Sequence, residues 1–162
     1  MLDFGEAVRR FYGNYTNPEG RAQRSAYWWV QLYQAIILTV LVIVIVMADG
    51  GLELIETFVE IQDIEELGAQ WAGLGSSGKF AIYLGAIFSL VNFLPGVMIA
   101  IRRFHDLGQT GWLVLAFLII GMLPIIGTVS GFVNFIWFAY PGTQGPNQYG
   151  PDPLGHDSDI FG

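Results

Sequence analysis

Long apolar intervals separated by short polar ones dominate the chain, and they predict membrane-spanning helices. Residues 25–48, 80–101 and 107–151 contain no Asp, Glu, Lys or Arg. Each interval is longer than the roughly 18 apolar residues that mark a candidate membrane helix. A soluble fold must solvate its surface, so this pattern favours an all-α integral membrane protein. Its apolar segments are expected at 27–47, 80–101, 112–123 and 125–140.

The interval 112–140 admits two interpretations. One straight helix over it would be about 43 Å long, which exceeds the ~30 Å hydrocarbon core of a bilayer. Gly121 and Pro124 lie near its middle and are typical of a turn. We therefore predict a small polytopic helical bundle with four membrane segments, the last two forming a short hairpin. Three spans, the last of them a single kinked crossing, remain the alternative.

The polar flanks predict two amphipathic elements. Residues 1–24 place apolar side chains at near-helical spacing before a turn-rich stretch, which favours an interfacial helix on the cytoplasmic leaflet, with a frayed lead-in as the alternative. Residues 52–67 repeat apolar positions opposite Glu and Asp, which predicts an external amphipathic segment. We expect residues 1–153 to form a single integral membrane domain and residues 154–162 a flexible acidic tail.

The distribution of charge predicts orientation. The net charge is −7, but the positive-inside rule counts only Lys and Arg. Residues 1–24 carry four arginines, and the acidic interval 49–79 carries one lysine. This places the N-terminus and Arg102–Arg103 of a multi-pass membrane protein in the cytoplasm. No Lys or Arg follows Arg103, so the rule leaves the side of the C-terminus open.

Three polar motifs separate the apolar segments. They are GRAQRSAYW at 20–28, RRFHDLGQTGW at 102–112 and PGTQGPNQYGPDP at 141–153. In this order the motifs resemble a bacterial inner-membrane family, domain of unknown function 805. The resemblance implies a small multi-helix membrane protein and supplies no activity. Ala26 stands where the family usually has Glu. If that Glu pairs with an arginine of the second motif in the family, this chain lacks the pair or has replaced it.

The His105–Asp106 pair is the main candidate for chemistry. With a second pair at His156–Asp157 it could form an acid–base or metal site. Neighbouring residues point in different directions, however, and no nucleophile elbow or phosphate-binding glycine loop is present. We therefore expect no catalytic residue, metal or cofactor. We expect a structural arrangement instead, in which Asp106 pairs with an arginine or caps the next helix, and the turns of the third motif cover the second.

Two function classes follow. The favoured one is a non-enzymatic module whose cytoplasmic face binds membrane lipids through anionic head groups, or binds a partner protein or a second copy of the chain, and not nucleic acid. The alternative is a subunit of a small oligomeric transporter or channel, with Asn92 as an intramembrane polar site. The candidate cluster comprises Arg21, Arg24, Tyr27, Trp28, Arg102, Arg103, His105, Asp106, Gly111, Trp112, Gly142, Gly145, Asn147, Gly150 and Asp152.

Overall fold

The computed structural model describes residues 2–49 and 64–155, and their regular structure is helical. Within these ranges the helices are α1 (Phe4–Gly13), α2 (Arg24–Asp49), α3 (Ile64–Gly73), α4 (Ser76–Asp106), α5 (Leu113–Gly121) and α6 (Pro124–Ala139). The described ranges contain no strand, and an isolated antiparallel bridge joins Asn147 to Gly150. The all-α prediction is confirmed for this part of the chain.

Helix α4 extends beyond the predicted segment 80–101 at both ends, and it includes Arg102–Asp106. The helix therefore continues past the predicted apolar segment and includes the first five residues of the second motif. The helix ends instead in a Schellman motif, in which Gln109 N–H donates to Phe104 O and Gly108 N–H donates to His105 O. Gly108 adopts the left-handed conformation this motif requires, with φ of 71°. No residue before it breaks the helix.

Two helices are long and apolar enough to cross a membrane, over Arg24–Met47 and Ser76–Asp106, and α6 is a shorter apolar helix. Only 6% and 17% of their most apolar windows are buried in the protein, unlike the core helices of a soluble protein. Large apolar side chains such as Val40, Ile87 and Leu90 are exposed. These surfaces suit contact with lipid.

The run 112–140 is divided into two helices that contact each other. Helix α6 begins with Pro124, whose missing N–H costs nothing at a helix start. A Cβ at Gly127 would lie 2.6 Å from Gly121 O, so only glycine permits this approach, whereas a Cβ at Gly131 would meet nothing within 4 Å. The break agrees with the Gly/Pro pattern, and the crossing of the membrane by each helix stays a prediction.

The described residues group into two compact units. One unit comprises the described part of 1–32 and 93–162, and it contains α1, α5, α6, the start of α2, the end of α4 and the turns that follow α6. Its helix α1 begins with Asp3 as N-cap and buries Ala7 and Phe11. Phe11 packs with Ala22, Val30 and Ile99. Ala7 and Phe11 of α1 are thus covered by the protein itself, whereas Phe4 is exposed.

The other unit comprises the described part of Tyr33–Asn92. Here a Cβ at Gly85 of α4 would lie 3.6 Å from a methyl group of Leu41 in α2, and the Tyr33 and Phe88 rings lie 5.9 Å apart. Helix α3 contacts α4 through Trp71, which is 5.5 Å from the Tyr83 ring. Residues 52–63 of the predicted external segment lie outside the described residues, and residues 64–67 begin α3.

Candidate functional site

A buried ion cluster joins the first two motifs. The Asp106 carboxylate, at the end of α4, accepts a hydrogen bond from Arg21 Nε at 3.0 Å through Oδ1 and one from Arg103 Nη1 through Oδ2. The side chains of Arg21, Arg103 and Asp106 are 1%, 0% and 4% exposed. Arg103 and Asp106 are three residues apart on one helix, so they share a face. The expected pairing of Asp106 with an arginine is found, with two arginines.

Arg103 also closes the C-terminal end of α6. Its Nε and Nη2 donate to Phe138 O at 3.2 and 2.9 Å, and Nη2 donates further to Tyr140 O. Nη1 reaches Ala22 O at 3.5 Å besides Asp106. The last carbonyls of a helix lack intrahelical partners and carry the negative end of its dipole, so a cation stabilises them. All three guanidinium nitrogens of Arg103 are therefore used inside the protein.

The third motif folds back over this cluster. Thr143 N–H donates to Asp106 O at 2.8 Å, and its hydroxyl donates to the same oxygen at 3.1 Å. Arg21 donates from Nη1 to Gly145 O at 2.7 Å and from Nη2 to Thr143 O. Asp152 accepts from Gly145 N–H at 3.0 Å and from Leu154 N–H at 2.9 Å. The turns of the third motif therefore bind the second motif directly.

Asn147 and Gly150 shape those turns. Asn147 Nδ2 donates to His105 O at 3.0 Å and to Thr143 Oγ1 at 2.9 Å, while its Oδ1 accepts from Tyr149 N–H at 2.9 Å. Asn147 and Gly150 exchange two backbone hydrogen bonds of 3.0 Å. Gly150 has φ of 134°, a conformation that side-chain-bearing residues rarely adopt. Both polar atoms of the Asn147 side chain are thereby hydrogen-bonded within the protein.

His105 is held between two other segments. Its Nδ1 lies 3.1 Å from Gly20 O, and because a carbonyl only accepts, Nδ1 carries the proton. Its ring stacks on Tyr149 with centroids 3.9 Å apart and planes at 3°. The ring therefore bridges the first and third motifs. Among the described residues, His105 and the neighbouring Asp106 thus contact different partners.

Two of the candidate glycines leave room for this arrangement. A Cβ at Gly142 would collide with the Asp106 carboxylate. A Cβ at Gly111 would lie 2.6 Å from Ile101 Cγ2 and 3.1 Å from His105 Nε2. A side chain at Gly142 would displace the ion cluster, and one at Gly111 would displace Ile101 and crowd the His105 ring.

Aromatic rings pack below the ion cluster. Phe138 lies 4.7 Å from both Phe104 and Tyr27, in edge-to-face contacts. Trp28 lies 4.7 Å from Phe135. Tyr27 and Trp28 are therefore packing residues in this structure, and they exclude water from one side of the charged groups.

The remaining candidates lie outside the hydrogen-bonded cluster. Arg24 is exposed and donates to Ala139 O at 3.3 Å. Trp112, which precedes α5, is 77% exposed. Arg102 is buried at 9% exposure, and its Nε has no hydrogen-bond partner among the described residues. It lines a cavity of about 140 Å³ together with Ala26.

Asn92 has a local partner. The residue is buried, and its Nδ2 donates to Phe88 O of its own helix at 2.7 Å. Pro95 lies within α4 without ending it. His156 and Asp157 lie outside the described residues, within which no group of three His, Cys, Asp or Glu is placed to hold a metal ion.

Sequence reasoning missed several contributors to the cluster. Thr143 and Tyr149 supply a hydroxyl and a ring, and Phe138 supplies a carbonyl. Thr143 and Tyr149 lie inside the third motif. A threonine and a tyrosine stand out there among turn-forming residues, and this was the signal that could have identified them. Nothing in a sequence marks a carbonyl as the partner of a distant arginine.

Comparison with known proteins gives a consistent result. The chain matches the family model described as "Protein of unknown function (DUF805)" over residues 15–151. It is 31% identical over 141 residues to "Inner membrane protein YhaI" of Escherichia coli strain K12, covering 86% of this chain and 88% of the relative. It is 31% identical over 140 residues to "Inner membrane protein YhaH" of the same strain, covering 86% and 89%. No solved structure matches.

Proposed function

Since this chain belongs to the DUF805 family, whose relatives YhaI and YhaH are inner membrane proteins, we propose that it is a non-enzymatic inner-membrane module. Its cytoplasmic face binds anionic lipid head groups. The observation that carries the proposal is how the arginines are used. Arg21 and Arg103 are consumed inside the protein, whereas Arg24 is exposed and Arg102 lacks a partner for its Nε.

The internal cluster supports a structural role for the His–Asp pair. Asp106 is tied to two guanidinium groups, and His105 is fixed by a carbonyl and a stacked ring. A general acid or base needs a proton that can be exchanged with a substrate within hydrogen-bond reach. These groups are already occupied by protein partners, so we assign them to holding the three motifs together.

The same cluster supports a topology with both termini in the cytoplasm. Arg21, Asp106 and Thr143 are in direct contact, which supports placing the segments that carry them on one side of a bilayer. Residues 106 and 143 are then separated by two crossings or by none. We propose two crossings, through α5 and α6, which is the four-segment arrangement with a short hairpin. The arginines of the first two motifs favour the cytoplasmic side.

The exposed groups are those expected at a lipid surface. Trp112 is exposed beside the end of α4, and tryptophan is enriched at the membrane interface. A basic residue near an anionic leaflet contributes about 1 kcal/mol, which corresponds to roughly a fivefold preference for anionic lipid. Arg24 is one such residue.

The test is lipid retention by the full-length protein. The protein is equilibrated in maltoside micelles that contain equal amounts of phosphatidylglycerol and phosphatidylcholine, and the retained lipids are quantified by mass spectrometry. Wild type should retain phosphatidylglycerol in excess, and Arg24→Gln should reduce that excess about two- to fivefold. Arg9→Gln is the matched control, because Arg9 is exposed and paired with Glu6. A wild-type ratio equal to that of the micelle would overturn the proposal.

The transporter alternative has its own readout in the same preparation. Reconstituted liposomes are assayed for ion and solute flux. Flux that Asn92→Leu abolishes would replace the head-group proposal with a transport function. The bond from Asn92 to its own helix gives no support to a pathway at this position.

A further inference from the structure

One cavity in the first unit is lined by three arginines. It has a volume of about 140 Å³, and its lining includes Arg10, Arg21, Arg102, Gln23 and Ala26. Of the described residues that line it, none is Asp or Glu. One probe-sized water needs only ~10–15 Å³ of such space, so the cavity has room for a small oxyanion. We infer that this cavity binds a phosphate group, as the free ion or as the ester of a lipid head group.

Arg102 is the lining arginine that most strongly indicates a bound anion. Two of the three lining arginines have partners in the protein, since Arg10 Nε donates to Glu6 at 2.7 Å and Arg21 is bonded to Asp106, Thr143 and Gly145. Arg102 Nε is buried without a hydrogen-bond partner in the part of the chain that the structure describes. Buried charges are ordinarily paired and hydrogen-bonded, so an anion in the cavity would complete this site.

The start of α2 adds to the attraction for an anion. Gln23 and Ala26 flank the beginning of this helix, and both line the cavity. The first N–H groups of a helix lack intrahelical partners, and the dipole of the helix favours negative charge there. Combined with the guanidinium fork of Arg102, this arrangement suits the tetrahedral oxygens of phosphate.

The cavity also has apolar walls. Phe11, Ala7 and Ile99 line it beside the arginines. A phosphate ester carries an apolar or polar substituent next to its charge, so a mixed lining accommodates an ester as well as the free ion. This inference rests on the proposed function, because it assigns head-group binding to one cavity.

The experiment measures thermal unfolding of the full-length protein in maltoside, which contains no phosphate. Inorganic phosphate, dihexanoyl phosphatidylglycerol and acetate are titrated separately at constant ionic strength. A concentration-dependent rise in Tm with phosphate, with the short-chain lipid or with both supports the cavity, and the pattern identifies the source of the ligand. No rise with either, or an equal rise with acetate, overturns it.

Variants locate the effect. Arg102→Gln should raise the apparent Kd tenfold or more, roughly the loss of one charged hydrogen bond, and Arg102→Lys should recover part of it. Arg9→Gln should change the Kd by less than about twofold, since Arg9 is not among the lining residues. A phosphate effect of wild-type size in Arg102→Gln would overturn the assignment.

A second variant keeps the test decisive if Arg102→Gln does not fold. Ala26→Glu adds a carboxylate to the cavity, and it should raise Tm without ligand and remove the phosphate response. An unchanged phosphate response in Ala26→Glu would contradict the cavity.

The two proposals fail separately. Lipid retention that depends on Arg24, without any response through Arg102, removes the cavity and keeps the proposed function. A phosphate response through Arg102, without excess phosphatidylglycerol, keeps the cavity as a site for soluble phosphate and removes head-group binding.

Discussion

Replacing Asp106 with Asn tests whether the ion cluster holds the three motifs together. The substitution keeps the shape of the side chain and removes its charge. Arg21 and Arg103, with side chains 1% and 0% exposed, then lose their common counter-ion. The amide NH₂ also presents donors to one guanidinium group, which has only donors of its own.

The expected loss of stability is about 3 kcal/mol. Removing one partner of a buried ion pair typically costs about 3–5 kcal/mol. The lower end applies because a second cavity, of about 160 Å³ and lined by Arg21, Arg24 and Asp106, gives water access to the cluster. Carbonyl partners of Arg103 at Phe138 and Ala22 also remain. A loss of this size lowers Tm by roughly 6–12 °C in a protein of this length.

The assay is thermal unfolding of the full-length protein in maltoside micelles. Asp3→Asn is the matched control, because Asp3 is the exposed N-cap of α1 and Asn caps a helix about equally well. The double variant of Asp106→Asn with Arg21→Gln should lose less than the sum of the single losses, by more than about 1 kcal/mol. A Tm for Asp106→Asn within 2 °C of the Asp3→Asn value, taken here as a rough threshold below 1 kcal/mol, would refute the reasoning.

Three further predictions follow from the same geometry. Gly142→Ala should lower Tm, because its Cβ would collide with the Asp106 carboxylate. The control Gly131→Ala places its Cβ where nothing lies within 4 Å and should leave Tm unchanged or higher. Similar Tm values for the two variants would contradict this prediction. Asn147→Ala should cost roughly 1–3 kcal/mol, since it removes the bonds from Asn147 Nδ2 to His105 O and Thr143 Oγ1 and the acceptor of Tyr149 N–H. Limited proteolysis should then cleave the third motif faster than in wild type, and an unchanged rate would count against this prediction. Hydrogen bonds from Arg9 and then Arg10 lower the pKa of Glu6 to about 2. The stabilisation that this carboxylate contributes is therefore present above pH 4.5 and is lost as pH falls towards 2. An NMR titration of Glu6 with a midpoint near 4.5 would exclude these bonds.

The helices were largely predictable, because charge-free intervals and Gly/Pro positions report directly on burial in lipid and on turns. The end of α4 was not. The pair Arg102–Arg103 looked like the end of a helix at a membrane surface, but helix propensity and the buried pairing with Asp106 carry the helix to Asp106. Only the glycine at 108, four residues before Trp112, forces the chain to turn.

The members of the candidate cluster could be listed from the sequence, but their division of labour could not. Adjacent arginines looked alike, yet Arg103 is bonded at all three nitrogens and Arg102 Nε has no partner among the described residues. A shift of one residue along a helix turns a side chain by about 100°. It therefore takes three-dimensional packing to decide which arginine faces the α6 carbonyls and which faces the cavity.

The most direct test of the account locates the three motifs relative to the membrane. The chain has no cysteine, so single cysteines introduced at the exposed positions Thr16, Gln109 and Gln148 can be labelled without background. A membrane-impermeant maleimide is applied to right-side-out and to inverted inner-membrane vesicles. If the three motifs lie together on the cytoplasmic side, all three cysteines should react only in inverted vesicles. If the cysteine at position 148 were labelled in right-side-out vesicles while those at 16 and 109 were protected, the third motif would lie on the other side of the membrane from the ion cluster. That result would contradict the proposed arrangement of the three motifs.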